Sequence, residues 1–334
     1  MANTIQTFDD CPQLLRDFLF YLLTIRGRSP RTVEGYHVDL RCFFRYLRAS
    51  RELKKIPEDL SQVSIVDLSP QTICSITLSD AYAFLVYTQG ERGNGAKTRA
   101  RKTSALRSFY KYLHTKTTLL PENPLENLDV PAVKKSLPKY LTLEESQRLL
   151  ETVASAPHRE RDFCIVTLLL NCGMRLSELV GINLNSINRE EHTLRLLGKG
   201  NKERIVYLNS ACDQAIAAYL AVRQEPAKAE HRGALFLSSR GTRLTPRRVE
   251  QLIEGYLQQA GLGGRGLSPH KLRHTAATLM YQYGGVDIRI LQDILGHTNL
   301  GTTEIYTHIS EPQRQDAMEH SPLAHYQPGK RKKD

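Results

Sequence analysis

The chain has 334 residues, which is long enough for two domains and a sizeable hydrophobic core. Apolar residues make up 40% of it and charged residues 24%, as is ordinary for a soluble globular protein. Lysine and arginine (46) outnumber aspartate and glutamate (35), and the resulting net charge of +11 predicts a polyanionic partner, of which nucleic acid is the commonest.

Several features argue against a membrane or secreted protein. The apolar run 14–23 contains Arg16 and Asp17 and is too short to span a bilayer. The first residues lack the charged-then-apolar layout of a signal peptide. The six cysteines lie far apart without CxxC spacing, so we expect reduced thiols in a cytoplasmic protein rather than disulfides or a zinc site.

The first third of the chain is predicted to be helical from apolar periodicity and from start and stop residues. The predicted helices are 9–26, one that begins at Ser29-Pro30, and one that begins at Ser79 or Asp80 and ends at Tyr87. The stretch 49–74, with two prolines, is interpreted as a long loop with at most one short helical turn.

A fourth predicted helix, 96–116, is strongly basic. We expect its apolar positions to pack inward and its basic positions to face outward. Because the charges are almost all of one sign, they indicate contact with a DNA backbone better than a merely solvated face. The residues expected to contact DNA are Lys97, Arg99, Arg101, Lys102 and Arg107. The first third is therefore interpreted as a four-helix module that grips a duplex without doing chemistry.

Prolines are dense between 117 and 141 and predict an interdomain linker at 131–139. Beyond it, Thr142 and Glu145 have the spacing of a capping box and predict the start of a helix. An apolar helix is predicted over 162–170. Arg175 follows its end, and Glu178, three residues on, could fix the guanidinium, although the pair taken alone is better interpreted as a surface ion pair.

Two predicted strands, 193–197 and 204–208, are joined by a turn with Lys199 at its tip. Glycines at 198 and 200 allow the backbone to turn tightly around that lysine. The turn is not a phosphate-binding P-loop, because GxxxxGK[ST] is absent. Helices are predicted to follow at 211–223 and 246–260.

Near the C-terminus, Ser268 and Pro269 predict a helix start, with Ser268 as the N-cap. His270 and Arg273 then lie three apart on one face, beside the free N–H groups of the first turn. Backbone donors, the positive end of the helix dipole and a guanidinium group converge there, and together they attract phosphate.

A second apolar helix is predicted to end at Gly296, directly before His297. After a turn, the short helical stretch 302–306 presents the hydroxyl of Tyr306. A phosphate-holding arginine and histidine, a second histidine and a nearby tyrosine together predict attack of a phenol on phosphorus. Each residue alone would more often be an ordinary core or surface residue, so the prediction depends on the whole set.

Together these residues resemble the tyrosine recombinase (phage integrase) family, and most closely its Xer branch. The motifs that carry the resemblance are Gly173-Met-Arg175-Leu-Ser-Glu-Leu179, Gly198-Lys199-Gly-Asn-Lys-Glu-Arg204, Leu267-Ser-Pro-His270-Lys-Leu-Arg273-His-Thr275, Leu295-Gly-His297 and Ile305-Tyr306-Thr-His308. Their order and spacing agree over essentially the whole second domain. The N-terminal helices match that family's core-binding domain in pattern rather than in motif.

The resemblance implies that Tyr306 attacks a DNA phosphodiester, forms a 3′-phosphotyrosyl bond and releases a 5′-hydroxyl. Arg175 and Arg273 would bind the nonbridging oxygens, whose charge must be stabilised in the transition state. His297 would donate a further hydrogen bond to the same phosphate.

His270 is implied as the group that accepts the proton of the attacking tyrosine, and Lys199 as the group that protonates the leaving 5′-oxygen. Lys202 is the first alternative proton donor, and Glu178 would support the arginine beside it. One phosphoester replaces another, so no ATP is needed, and the cationic side chains make a metal unnecessary. No cofactor is therefore implied.

The implied fold is mainly α with a small β-hairpin or sheet (α+β), arranged as a two-domain C-clamp. Its expected parts are an N-terminal four-helix, SAM-like core-binding domain at 1–130, the linker at 131–139, a catalytic domain at 140–310, and a tail at 311–334 that contacts another protomer and has a basic end. The implied partners are double-stranded DNA and, in a homo- or hetero-tetramer on two DNA sites, further copies or a sister recombinase. Control by a DNA translocase stays open, and no membrane is implied.

The alternatives differ in class. An integrase or transposase of a mobile element would use the same chemistry as an enzyme that resolves chromosome or plasmid dimers, and so would a type IB topoisomerase. A zinc hydrolase would use His270 and His274, but it lacks the glutamate of HExxH, and Lys271 and Arg273 would repel a cation. A non-catalytic DNA-binding regulator would explain the charge but not Tyr306 and its companions.

Overall fold

The computed structural model describes residues 7–53, 56–132, 139–198 and 203–296. These residues are mainly helical and include one small antiparallel sheet, which confirms the predicted fold class. The chain divides into two compact units, Met1–Lys135 and Ser136–Asp334. In the part of the chain that the structure describes, no helix combines the length and the apolar character needed to cross a bilayer.

The N-terminal unit contains the four predicted helices and a short additional one. The helices are α1 (Gln13–Phe20), which continues into a π-helical turn at Tyr21–Ile25, α2 (Pro30–Glu52), α3 (Pro70–Cys74), α4 (Leu78–Gly90) and α5 (Ala96–Lys116). Six fully buried aromatic side chains dominate the core of this unit: Phe18, Phe43, Phe44, Phe84, Phe109 and Tyr110. The apolar positions of α5 are buried in this core, as the periodicity predicts.

Local capping residues explain where these helices begin. Ser29 accepts a hydrogen bond from the backbone N–H of Thr32, and Pro30 occupies the first helical position, which confirms the predicted start of α2. The predicted cap of α4 was wrong. Thr77 is the N-cap, and Asp80 is its partner in a capping box, because the Asp80 carboxylate accepts the N–H of Thr77.

The interpretation of 49–74 as a long loop was wrong at its start, and the short helical turn that it allowed for is α3. Helix α2 continues to Glu52, and α3 begins directly after Ser69, whose side chain accepts the N–H of Thr72. Pro70 therefore starts a helix rather than breaking one, since the first helical position needs no N–H donor. A 3₁₀ turn at Leu60–Gln62 lies between the two helices.

The C-terminal unit is built around α7. Its helices are α6 (Leu143–Ala154), α7 (Arg159–Cys172), α8 (Leu176–Gly181), α9 (Ser210–Val222), α10 (Pro246–Gln259), α11 (Pro269–Tyr283) and α12 (Ile288–Leu295). Residues 164–170 of α7 are all buried, and α7 contacts α6, α9 and α11. The predicted capping box of Thr142 and Glu145 is present at the start of α6.

The sheet has the order β1-β2-β3, with β1 at Ile187–Asn188, β2 at Thr193–Leu197 and β3 at Glu203–Tyr207. The β2–β3 hairpin was predicted, whereas the two-residue β1 was not, since it is too short to show alternation. Leu194 lies opposite Val206 and Leu196 lies opposite Arg204, so these four side chains share one face. That face is directed towards the core, because both leucines and Val206 are buried.

Candidate active site

The end of α7 brings the chain sharply into α8. Gly173 has a φ of +54°, and a Cβ added to it would lie 2.8 Å from Cδ2 of Leu295. Both the left-handed backbone and the close approach of α12 therefore require glycine at this position. Arg175 follows two residues later as the N-cap of α8, in an extended conformation.

Glu178 fixes Arg175 in two ways. Its carboxylate accepts the backbone N–H of Arg175 at 2.8 Å and, through its other oxygen, Nη1 of the same residue at 2.8 Å. The Glu178 side chain is 0% exposed, whereas that of Arg175 is 36% exposed. The interpretation of this pair as a surface ion pair was therefore wrong, because its carboxylate is fully buried.

A third residue, Arg204, binds the same carboxylate, and its contribution was not predicted. Its Nη2 lies 2.8 Å from Oε2 of Glu178, and its Nη1 donates to the backbone carbonyl of Ile294 in α12. One signal could have found it. Alternation along β3 places residues 204 and 206 on the inward face of the hairpin, where an arginine must have a buried partner.

Helix α11 begins at Pro269 as predicted, although within the described residues the side chain of Ser268 makes no capping hydrogen bond. Arg273, one turn into the helix, is 3% exposed. Its Nη1 donates to the carbonyl of Gly173 at 2.6 Å and its Nη2 to the carbonyl of Leu295 at 2.6 Å. Arg273 thus joins the end of α7 to the end of α12.

The C-terminal end of α12 is where the three arginines meet. The carbonyls of Ile294, Leu295 and Gly296 accept hydrogen bonds from Arg204, Arg273 and Arg175 respectively. The last carbonyls of a helix have no partner within it, and they form the negative end of the helix dipole. They therefore stabilise three cations in one place.

Gly296 is required for this arrangement. Its φ is +62°, and a Cβ on it would lie 2.9 Å from Cδ of Arg204. The predicted break of α12 at Gly296 is confirmed. Because the next residue is His297, the arginine cluster fixes the point from which the C-terminal segment of the chain continues.

The cluster of Arg175, Arg204, Arg273 and Glu178 contains three positive groups and one negative group. Burial alone would raise the pKa of Glu178, but the hydrogen bonds from Arg204 and Arg175 outweigh it and hold that pKa below its ordinary value. The carboxylate is therefore ionised at neutral pH, and the cluster retains a positive excess that suits a phosphodiester.

His270 lies three residues before Arg273 on α11, and its side chain is exposed. Its ring stacks edge-to-face on that of His274, with the ring centroids 4.7 Å apart and an interplanar angle of 76°. His270 is thus placed at the solvent-facing start of the helix that contains the buried Arg273.

Four predicted site residues lie outside the described residues: Lys199, Lys202, His297 and Tyr306. The described chain ends directly before two of them, at Gly198 and at Gly296. The structure thus brings together Arg175, Glu178 and Arg273, adds Arg204, and describes the backbone up to the residue that precedes Lys199 and the one that precedes His297.

The basic residues of α5 do not all face outward. Lys97, Arg101 and Arg107 are exposed, and Arg99 is partly buried. The expected outward position was wrong for Lys102, whose side chain is 8% exposed and whose Nζ lies 3.2 Å from Oδ1 of the buried Asp39. Arg101 pairs with the other oxygen of the same carboxylate.

One group of potential metal ligands occurs in the described part of the chain, formed by Asp10, Cys11 and His37, whose ligand atoms all lie within 4.8 Å of one another. Burial raises the pKa of the Cys11 thiol to about 12, which disfavours the thiolate that a metal needs. Arg41 also donates to Asp10. We therefore assign no metal to these residues.

Comparisons with known proteins show which family the chain belongs to. The model of the phage integrase family matches residues 139–313, and that of the phage integrase N-terminal SAM-like domain matches residues 63–117. Tyrosine recombinase XerC of Caldanaerobacter subterraneus subsp. tengcongensis is 46% identical over 315 residues, which cover 94% of this chain and 88% of that protein. Tyrosine recombinase XerC of Herpetosiphon aurantiacus is 36% identical over 304 residues, covering 89% and 91%.

Among solved structures, the fold matches that of the XerH site-specific recombinase in its pre-cleavage complex with difH substrate. The TM-score is 0.66 at 23% identity, and the match covers 92% of this chain and 84% of the other. The Xer interpretation is favoured over a mobile-element enzyme, because both of these relatives are XerC proteins and the match covers most of their length. The chain belongs to the phage integrase family and is a Xer-type tyrosine recombinase, an enzyme that cuts and rejoins DNA by transesterification.

Proposed function

We propose that this recombinase cuts and rejoins DNA at a specific site through a 3′-phosphotyrosyl bond to Tyr306, and that its task is to resolve chromosome or plasmid dimers. The observation that carries the proposal is the cluster of Arg175, Arg204, Arg273 and Glu178 at the end of α12. It combines a positive excess with hydrogen bonds to the backbone carbonyls of the two residues that precede His297.

In the proposed mechanism, Arg175 and Arg273 bind the nonbridging oxygens of the scissile phosphate. Charge on these oxygens grows as the phenol oxygen of Tyr306 approaches phosphorus, so donors fixed beforehand lower the barrier. Glu178 and the α12 carbonyls support this role because they hold the guanidinium groups in place before DNA arrives. His297 adds a further hydrogen bond to the same phosphate.

Two protons must move during cleavage. His270 takes the phenolic proton, since an imidazole is a base suited to neutral pH and this residue is exposed at the start of α11. Lys199 gives a proton to the leaving 5′-oxygen, whose conjugate acid is about as weak an acid as water. Rejoining is the reverse reaction, in which a 5′-hydroxyl attacks the phosphotyrosine and releases Tyr306. Each step exchanges one phosphoester bond for another.

The partners follow from the reaction. Duplex DNA is the substrate. The exposed basic side chains of α5, in the N-terminal domain at 1–130, contact the DNA backbone. Exchange between two sites needs four active sites, so we propose a tetramer, either of this chain alone or with a sister recombinase. The tail 311–334 is proposed to contact the neighbouring protomer, and the protein is proposed to act in the cytoplasm.

The decisive experiment uses a nicked suicide substrate, on which cleavage releases a short strand and traps the covalent protein–DNA adduct. Tyr306→Phe should bind this DNA as tightly as the wild type and form no adduct, because only the attacking oxygen is removed. An adduct formed by Tyr306→Phe would show that another residue is the nucleophile. Absence of any adduct with the wild type would refute the recombinase chemistry itself.

A further inference from the structure

We infer that Arg204 is a positioning residue for strand cleavage, which holds Arg175 and the end of α12 in the geometry that binds the scissile phosphate. The inference rests on the proposed function, since it assigns Arg204 a part in that same site. Arg204 is the second residue of β3 and follows Lys199 by five residues in the sequence.

The contacts of Arg204 bridge distant parts of the chain. Its two terminal nitrogens bind the carboxylate of Glu178, 26 residues away, and the carbonyl of Ile294, 90 residues away. Arg175 makes a second bridge between the same two elements, from Glu178 to the carbonyl of Gly296. Two guanidinium groups therefore connect α8 to the end of α12 in parallel, and one of them is the proposed phosphate ligand.

Burial separates the roles of the two arginines. The Arg175 side chain is 36% exposed, whereas that of Arg204 is 14% exposed, and both terminal nitrogens of Arg204 donate to the protein. Arg273 is buried as well and its terminal nitrogens also donate to the protein, but their acceptors are backbone carbonyls rather than Glu178. Arg204 binds the Glu178 carboxylate that also holds Arg175, and it is therefore placed to position Arg175. A lysine could not replace Arg204 fully, because a single ammonium lacks the planar fork that spans a carboxylate and a carbonyl together.

Removal of the Arg204 side chain should leave the hairpin intact. Strands β2 and β3 are paired through five backbone positions, from Thr193 opposite Tyr207 to Leu197 opposite Glu203. What is lost is one of the two links from Glu178 to α12, so Arg175 and the end of α12 should shift from the geometry that binds the phosphate. The defect should lie in phosphate binding during the transition state, and proton delivery from Lys199 should be preserved.

The experiment compares Arg204→Met and Arg204→Lys with Lys199→Ala and with a control, Arg195→Met. Arg195 lies on β2 of the same hairpin, but its side chain is 53% exposed on the opposite face. Adduct formation is measured in single turnover at saturating DNA, on a nicked suicide duplex with either oxygen or sulfur at the bridging 5′ position. Sulfur removes the need for a proton donor, because a thiolate leaves readily at a pKa of about 8.5.

We expect Arg204→Met to bind DNA like the wild type and to cleave about 100-fold more slowly, with either bridging atom. Arg204→Lys should recover part of this loss, Arg195→Met should cleave like the wild type, and only Lys199→Ala should be rescued by sulfur. Rescue of Arg204→Met by sulfur would overturn the inference, because Arg204 would then act through the hairpin. A cleavage rate within about threefold of the wild type would overturn it as well.

A merely structural role would lower DNA binding and cleavage together in both Arg204 variants, and that outcome also refutes the inference. If Arg204→Met does not fold, Arg204→Lys decides by the same comparison of binding with cleavage. Wild-type protein that forms no adduct would refute the proposed function and this inference with it, whereas failure confined to the Arg204 variants leaves the proposed function standing.

Discussion

Glu178 is a buried carboxylate that binds two guanidinium groups, those of Arg175 and Arg204, and a backbone N–H. A carboxylate without exposure to water is stabilised only by such partners, and the cations in turn depend on it. The residue therefore decides whether positive groups can be concentrated beside α12 before any DNA phosphate is present.

Glu178→Gln keeps the shape of this side chain and removes its charge. We expect the variant to lose about 3 kcal/mol of unfolding free energy, since it leaves buried cations without their counterion. Urea denaturation at pH 7 measures this loss. Adding Arg204→Met should lower the stability by less than the sum of the two single losses, because the unpaired cation is then removed as well. Strictly additive losses would contradict the coupling.

The contribution of Glu178 to the stability of the fold should depend on pH. The pKa of Glu178 is held below its ordinary value, so its contribution to stability is complete above about pH 4.3 and is lost as the pH falls through the lowered value. The difference in stability between the wild type and Glu178→Gln should therefore shrink in acid. A difference in stability that grows as the pH falls would contradict the expected direction of this pH dependence.

Arg204 shows why part of the site escaped prediction. The pairing of Arg175 with Glu178 could be predicted because three residues separate them and one helical turn joins them. The partners of Arg204 are 26 and 90 residues away, and one of them is a backbone carbonyl that has no signature in the sequence. Side-chain chemistry was predictable here, whereas contacts made by the main chain of a distant element were not.

Helix α5 has both exposed and buried basic residues. Its range, 96–116, was predicted from its own residues, because its start, its end and its apolar stripe are all local features. The burial of Lys102 could not be predicted in that way, since its partner Asp39 lies 63 residues away on α2. The positive charge on this helix is therefore partly internal and only partly available to DNA.

This division predicts two distinct defects. Replacing the exposed Lys97 and Lys111 by glutamine should weaken binding to all duplexes and reduce the salt dependence by about one log–log unit per lost phosphate contact, without lowering the melting temperature. Lys102→Met should lower stability by about 3 kcal/mol, because it removes one cation from a buried carboxylate. Binding titrations at several salt concentrations and thermal melts separate the two; a salt slope unchanged by the double variant would place those lysines away from DNA.

Besides a small cluster of Ala277, Leu291 and Leu295, the described residues form two large hydrophobic cores. One consists of residues between Phe8 and Leu128 and the other of residues between Leu141 and Leu272, with no residue in common. A chain with two independent cores is expected to lose them separately, because cooperativity in unfolding extends through contiguous packing.

Calorimetry should therefore resolve two unfolding transitions in the wild-type protein. Lys102→Met should lower the temperature of one of them and Glu178→Gln that of the other, since each variant disturbs a carboxylate in a different unit. The exposed control Arg195→Met should move neither. If either variant shifts both transitions by the same amount, the two units unfold as one.

The three carbonyls at the end of α12 have a consequence for how this site can be studied. They are main-chain atoms, so substituting the side chains of Ile294 or Leu295 leaves all three acceptors in place. Alanine scanning of this segment would report lost packing, as at the buried Leu295, and would not report the contribution of the carbonyls. Replacing one of these amides by an ester would weaken the adjoining acceptor and expose the contribution that mutagenesis cannot reach.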